Sequence, residues 1–563
     1  MAVLTVSPAA VLLLFVTLAA TYVLVRRRLQ TTTSATQAAK VERDEHSKIR
    51  HPPAEPSQLG GTLAAALPDS VTLPDARPAF KSAVNKYWAQ QECEVTPSCV
   101  VRPRNAEELS KAVTIIKREY DGQASKREPT GNRSGTSSTL FAIRSGGHSP
   151  VAGAASVEGG VLIDLGGLNE VCPSEDGHSV SIGAGAKWMD VSKVLDQRDL
   201  AVVGGRNSAV GVGGLTLGGG LSFFTPRYGL VCSNIISYQV ILASGTIVTA
   251  DATNNPNLWR ALKGGSNNFG IVTQLTARSF PTSKIWSGFL YLPSFQASKV
   301  LACFHESVDV PQSTGVTGTK PDIHAAGPIA CFTYVHQLGI QAISVNIVYT
   351  APPDKEGQWP EYWQRSPFSR LWRLWSTCVT RTLTSATDEL NILNPPGKRQ
   401  SFATTTIKND QATLAAAHEA YASAILAFRK ANVKNLVFTL VLQPFPSSVS
   451  QNDCPLPLGL NHDASGAALV NVSFTVNWPL AKDDETVKAL TRLATEEIDD
   501  FASANGTGHR YRYLNYCAEW QRPFEGYGVE NLAFLRDVSA RYDPDGLFQK
   551  GCPGGFKLWE TDN

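Results

Sequence analysis

A chain of 563 residues is longer than one hydrophobic core usually organises, so at least two packed units are expected. Apolar residues at 43% and charged residues at 18%, with 45 Gly and 33 Pro, describe a loop-rich globular protein and exclude a disordered one. A net charge of +2 with both signs interspersed leaves no footprint for nucleic acid, and the ten Cys and ten His fall in no CxxC, HExxH or paired Cys/His spacing, so no metal is expected.

Residues 2–25 carry no charge, and the apolar run VLLLFVTLAATYVLV at 11–25 ends at Arg26, Arg27 and Arg28. That length and charge order predict an N-terminal apolar helix and membrane anchor over 1–28, arginine side cytosolic, with a cleaved signal and secretion as the alternative. Residues 29–79 are polar and Pro-rich, as expected of a flexible stalk, which places the start of folded structure near Phe80. Sequons stand at Asn132, Asn471 and Asn505; they are glycosylation candidates only if the body enters the secretory lumen, against the orientation the arginines favour. Cys93 and Cys99 flank a short loop and suit either a disulfide or two free thiols.

The body opens with a strand at 99–102 and a helix begun by Asn105 and Glu108 as a capping box, with Leu109, Ala112, Val113 and Ile116 at helical spacing. Short strands are expected at 141–144, 160–164 and 179–182, a helix at 188–195, and a hairpin of 238–242 and 246–250 turning at Ser244-Gly245. After Pro281 the glycine clusters end and longer patterns follow, including strands at 436–442 and 470–477 and a helix at 483–501. The pattern is α+β, with a domain boundary near Pro281.

GGRNSAVGVGGLTLGGG at 204–220 concentrates glycines at 211, 213, 214, 218, 219 and 220. Glycine permits positive φ and removes Cβ, so backbone N–H groups can converge on one anion, for which a diphosphate is the natural guest; tight turns are the plain alternative. No Lys follows to make GxxxxGK[ST], the GxGxxG spacing fails, and no acidic residue ends the strand at 238–243, so a Rossmann unit is excluded. Upstream, Arg144-Ser145-Gly146-Gly147-His148-Ser149 sets a histidine in a glycine turn after a short strand.

Together these segments resemble the FAD-linked oxidases of the p-cresol methylhydroxylase (PCMH) and vanillyl-alcohol oxidase superfamily, especially the berberine bridge enzyme-like group. The resemblance rests on IRSGGHSPVAG (143–153), GAGAKWMDVSKVLD (183–196), VGGRNSAVGVGGLTLGGGLSFFTPRYGL (203–230), ALKGGSNNFGIVT (261–273), YLNYCAEWQ (513–521), YG (527–528) and RYDPDGLFQ (541–549), in the family's order. It implies a two-part PCMH-type FAD-binding domain over 80–285, an antiparallel-sheet substrate or cap domain over 286–509, and a segment at 510–555 returning to the first domain. It implies FAD held by one covalent link to His148, because Asn207 stands where doubly linked relatives carry a cysteine. Arg144, Ser145, Gly146, Gly147 and Ser149, then Asn207, Ser208, Val210 and Gly211, Gly213, Gly214, Gly218, Gly219 and Gly220, then Gly270, Ile271 and Val272, and finally Asn515, are the implied cofactor contacts. Val210 takes the place beside the oxygen-reactive flavin carbon, and plain packing is its other reading; for Arg144 the other reading is a structural ion pair. Tyr516 is the candidate base, since a cation or the flavin can favour a phenolate near the ring, with Tyr513 and Glu519 as fallbacks.

The implied reaction is oxidation of a small, hydrophobic natural-product intermediate by hydride transfer to flavin, with O₂ reoxidising the flavin to give H₂O₂. A dehydrogenase using another acceptor, a carbohydrate oxidase and a non-catalytic flavin protein are the alternatives. Trp363, Phe368, Trp372, Trp375 and Phe438 are candidates to line the substrate pocket or to pack in its core.

Overall fold

The computed structural model describes residues 57–125, 139–308, 322–351, 355, 357–445, 456–460 and 467–559. Structure begins earlier than the sequence suggested. Ser57 caps the helix Gln58–Ala66 by accepting the Gly60 N–H (3.0 Å), Leu63 is wholly buried, and Val71–Thr72 pairs antiparallel with Val100 and Val101. The stalk expectation therefore fails over 57–79. The polar, Pro-rich composition ends before Ser57, and the apolar spacing Leu59, Leu63, Leu67 that follows belongs to the core.

The single-pass membrane expectation is also corrected: no helix of the described residues is long and apolar enough to cross a membrane. The segment 1–28 on which it was placed lies outside the described residues, as does Asn132. Cys93 and Cys99 are free thiols.

The amino-terminal lobe holds two sheets. The first orders Val71–Thr72, Cys99–Val101, Val161–Asp164 and Phe141–Arg144, the last three parallel. Parallel register sets Arg144 beside Asp164. The helix Ala106–Ser125, with Leu109, Ala112, Val113 and Ile116 buried, packs against the strands Ile235–Ile241 and Ile247–Asp251; Glu108 N–H donates to Asn105 Oδ1 (2.9 Å), while the Glu108 carboxylate accepts the Arg104 rather than the Asn105 N–H, so only half of the capping box forms. The second sheet has six antiparallel strands centred on Ile271–Pro281, which pairs with Ser179–Gly183, Ile235–Ile241 and Leu200–Val202; Ile235–Ile241 and Ile247–Asp251 form the expected hairpin.

From Ile285 the chain builds a nine-stranded antiparallel sheet. Period-two alternation divides its faces. Phe438, Leu440 and Leu442 of Val437–Pro444, with Val470, Val472, Phe474 and Val476 of Leu469–Trp478, enter a core shared with the helices Ala297–Val308, Gln411–Lys430 and Asp484–Ala504. Thr439, Val441, Gln443, Asn471 and Ser473 therefore occupy the opposite face, which meets the lobe. The final segment leaves the nine-stranded sheet, and Tyr511, Tyr513, Tyr527, Leu535 and Phe548 pack into the core of the lobe. Asn471, on the sheet's inner face, is fully buried and donates to Thr404 Oγ1, so the expectation of a glycan there is corrected. Asn505, at the end of Asp484–Ala504, is exposed.

Candidate active site

The strand Phe141–Arg144 delivers the loop bearing His148, and Arg144 secures the strand's end. Its guanidinium, 2% exposed, donates to Asp164 Oδ2 (2.9 Å) and Ala83 O (2.8 Å) and lies 4.6 Å from the centre of the Tyr87 ring. These partners hold the side chain in the sheet, as the reading of Arg144 as a structural ion pair expects. Ser145 Oγ donates to Ala184 O (2.6 Å), Gly147 adopts φ +65°, and Gly147 O accepts the Trp88 N–H (2.9 Å). This turn places the His148 imidazole on the Trp88 indole, centroids 4.4 Å apart and planes 10° apart.

His148 Nε2 is buried without a hydrogen-bond partner. Burial, seconded by the charge of Lys187, pushes the imidazole down to about 4, so the ring is neutral at ordinary pH and has a lone pair to give.

The second glycine cluster is used mainly to let chains touch. A Cβ on Gly146 would fall on the backbone of Gly211, and one on Gly211 on that of Gly146, so the two loops lie in backbone contact. Gly213 packs on Ala184 O, Gly218 on the Asn515 amide, and Gly220 (φ +83°) on Val231. Gly219 (φ +107°) has looser neighbours, and a Cβ on Gly214, in the short helix Val212–Leu217, would meet nothing within 4 Å. Gly270 lies against Ile241 O, and the Ile271 and Val272 side chains are buried in the second sheet.

Asn207 Oδ1 accepts the Ala209 N–H (2.9 Å), capping its own turn, and Val210 is half-buried against the core. Ser208 is 1% exposed, and its Oγ donates to Asp388 Oδ1 (3.0 Å) while its N–H donates to Thr387 O (3.2 Å). Both partners lie on Leu383–Ile392, so the Ser208 side chain docks that helix.

The returning segment reaches the same region. Asn515 Nδ2 donates to Leu215 O (3.0 Å) and Tyr513 Oη (3.1 Å), tying Leu514–Tyr516 to the glycine cluster. The Tyr516 ring is set edge-on to Tyr513 at 4.8 Å and tilted against Phe402 at 5.6 Å. Phe402 in turn lies 5.4 Å from Trp88, so a chain of rings links Tyr516 to His148. Arg206 was missed by the sequence reading. Its Nη2 donates to Tyr516 Oη (3.1 Å) and Gln443 Oε1 (3.0 Å), joining the lobe, the nine-stranded sheet and the return segment. One charge inside an otherwise apolar, glycine-rich stretch was the available signal. The fallback bases fare worse: burial drives the Tyr513 phenol far above its ordinary value, and Glu519 is held by Lys488 at 2.7 Å.

Residues 97–251 match the FAD binding domain family. The FAD-dependent monooxygenase sdcF of Emericella nidulans is 33% identical over 486 residues, covering 85% of this chain and 94% of that protein. Berberine bridge enzyme from Eschscholzia californica superposes with a TM-score of 0.65 at 16% identity, covering 89% of this chain and 100% of that one. The chain belongs to the berberine bridge enzyme-like FAD-linked oxidoreductases. The same fold recurs in 6-hydroxy-D-nicotine oxidase from Arthrobacter nicotinovorans, with a TM-score of 0.65, 21% identity and coverage of 85% and 96%. This berberine bridge enzyme-like protein is accordingly an FAD-dependent oxidoreductase.

FAD fits the residues present: a neutral imidazole with an unsatisfied nitrogen ends one loop, and the touching glycine loop opens onto free space at Gly214. Of the five aromatics considered for a pocket, Trp363, Phe368 and Phe438 are fully buried in the helix-side core and Trp372 is exposed, whereas Trp375 stacks on Tyr291 at 4.5 Å. Tyr291, Ser344, Cys331 and Val441 are cross-strand neighbours on the face turned to the lobe.

Proposed function

We propose that this protein oxidises a small oxygenated organic molecule under the nine-stranded sheet, using FAD bonded once, through His148. When bound, FAD would supply a hydride acceptor and pass the electron pair to dioxygen, which leaves as hydrogen peroxide. The His148 imidazole would hold FAD through one ring nitrogen, giving up its N–H as the bond forms, with dioxygen as the final two-electron oxidant. The observation that carries the reading is the ring chain from His148 to Tyr516, which sets a neutral imidazole and a phenol held by a guanidinium along one wall.

Tyr516, acting as a phenolate base, takes the proton that substrate loses as hydride departs, and Arg206, donating to that oxygen, favours the charged form that accepts it. Asn207, in place of a cysteine, leaves His148 as the one link. Substrate polarity is revised from the sequence expectation. The aliphatic and aromatic residues that made this half apolar point to the helices, while Ser344, Cys331 and Gln443 share the inner face.

The test is anaerobic bleaching of the purified yellow protein against a metabolite panel, followed by air. Substrate-dependent bleaching, recovery in air and one equivalent of peroxide are expected. Bleaching without recovery in air would assign a different acceptor, and no bleaching by any oxygenated metabolite would remove the oxidase reading.

A further inference from the structure

Trp88 touches the attachment loop, the imidazole itself and the nine-stranded half of the molecule. Its backbone N–H donates to Gly147 O (2.9 Å), one residue before His148, and its indole Nε1 donates to Asn394 O (3.0 Å). The indole stacks on the imidazole at 4.4 Å and 10°, and Phe402 lies 5.4 Å from it. The neighbouring residues repeat the stitch: Gln91 Nε2 donates to Pro150 O (2.7 Å) and Gln400 O (2.5 Å), and Gln90 N–H donates to Lys398 O (2.9 Å).

We propose that Trp88 is a positioning residue for flavin attachment, fixing the plane of the His148 imidazole and excluding water from one of its faces. This rests on His148 being the attachment point. A ring on a glycine turn, with Nε2 unpartnered, is hydrogen-bonded only to its own backbone, so packing has a part in choosing its rotation about Cβ–Cγ. The parallel stack supplies that choice, since turning the imidazole would break face-to-face contact with an indole pinned to Asn394 O, on a residue whose backbone is pinned to Gly147 O. Bond formation to carbon demands a lone pair aligned with the electrophile, and an error of about 1 Å in such geometry costs on the order of 10²-fold in rate. The dry face also favours the neutral imidazole, in keeping with its depressed basicity. Because Asn394, Lys398 and Gln400 belong to the other half of the molecule, the imidazole is presented for attachment only once that half has docked.

The test compares the wild type with Trp88→Phe, which keeps a ring face, and Trp88→Leu, which keeps an apolar side chain without one. Each full-length protein is purified as expressed. Total flavin per chain is measured first, then the fraction that stays with the chain after acid precipitation, and thermal melting controls for folding. Full retention is expected in the wild type and most of it in Trp88→Phe, while Trp88→Leu should bind flavin and melt like the wild type yet attach it at least about ten-fold more slowly when FAD is added to flavin-starved protein. Equal attachment by Trp88→Leu and the wild type would overturn the role of Trp88 and leave His148 standing. Release of all flavin by the acid-treated wild type would instead overturn the His148 link itself.

Discussion

Tyr516 is held at its ring by Tyr513 and Phe402 and at its oxygen by Arg206, so its hydroxyl has little freedom to wander. Tyr516→Phe keeps both ring contacts and removes only the proton acceptor. Substrate-dependent flavin reduction should fall by roughly 10²–10³-fold with flavin content unchanged, as stopped-flow absorbance would show. Arg206 has no carboxylate within ion-pair distance among the described residues; its Nη2 serves two neutral oxygens. Arg206→Met should therefore lower the reduction rate by about ten-fold or more, and Arg206→Lys should recover part of it. An unchanged reduction rate in Arg206→Met would detach Arg206 from the proton transfer.

At the scale of elements, the segment after His148 hangs on a buried acid. Glu92 is fully buried and accepts the N–H groups of Gly153 (3.1 Å) and Ala155 (2.8 Å), yet burial outweighs these bonds and pushes its carboxyl up to about 7. A carboxyl whose folded pKa lies above its unfolded one binds more protons when folded, so its stabilisation is complete below about 4.5 and is lost as pH rises through about 7. The loss amounts to about 3 kcal/mol at 1.36 kcal/mol per unit. Urea midpoints should fall from pH 5 to pH 8 in the wild type and fall less in Glu92→Gln.

Much of this level could be read from sequence. The strand Phe141–Arg144 forms where it was expected, Val161–Asp164 and Trp188–Asp196 within a residue of it, because alternation, glycine corners and helical spacing are local signals. The segment from Ser57 was hidden by the polar run before it. Trp88 and Arg206 were missed for a different reason: their roles arise from partners about 60 to 310 residues away, which no spacing records. For the glycines of the second cluster, composition suggested an anion cradle, whereas close contact accounts for Gly211, packed on Gly146, and Gly218, packed on Asn515, leaving Gly214 facing free space.

Across the whole molecule, two large hydrophobic cores are bridged by polar contacts on either side of the site, beside apolar ones such as those of Ala326, Val348 and Leu469 with the lobe. Thr384 N–H donates to Asp196 Oδ2 (3.0 Å) and Ser208 Oγ to Asp388 Oδ1 (3.0 Å) on one side; on the other, Arg399, 5% exposed, pairs with Glu94 and Asp484. Arg399→Met leaves Asp484 without its cation, a loss of about 3 kcal/mol. Because it severs the tie to Glu94, hydrogen exchange should accelerate across 86–94 while the interior strands of the nine-stranded sheet stay protected. Uniform acceleration across both halves would instead show that they unfold as one unit.

The assignment of the site to flavin chemistry converges on one imidazole, and a single measurement addresses it directly. Protein precipitated with acid, washed and digested should yield a peptide spanning His148 that carries the flavin, yellow and heavier than the bare peptide by one flavin adduct, with no second flavin peptide from the Asn207 region. A colourless digest in which the His148 peptide has only its own mass would contradict the account.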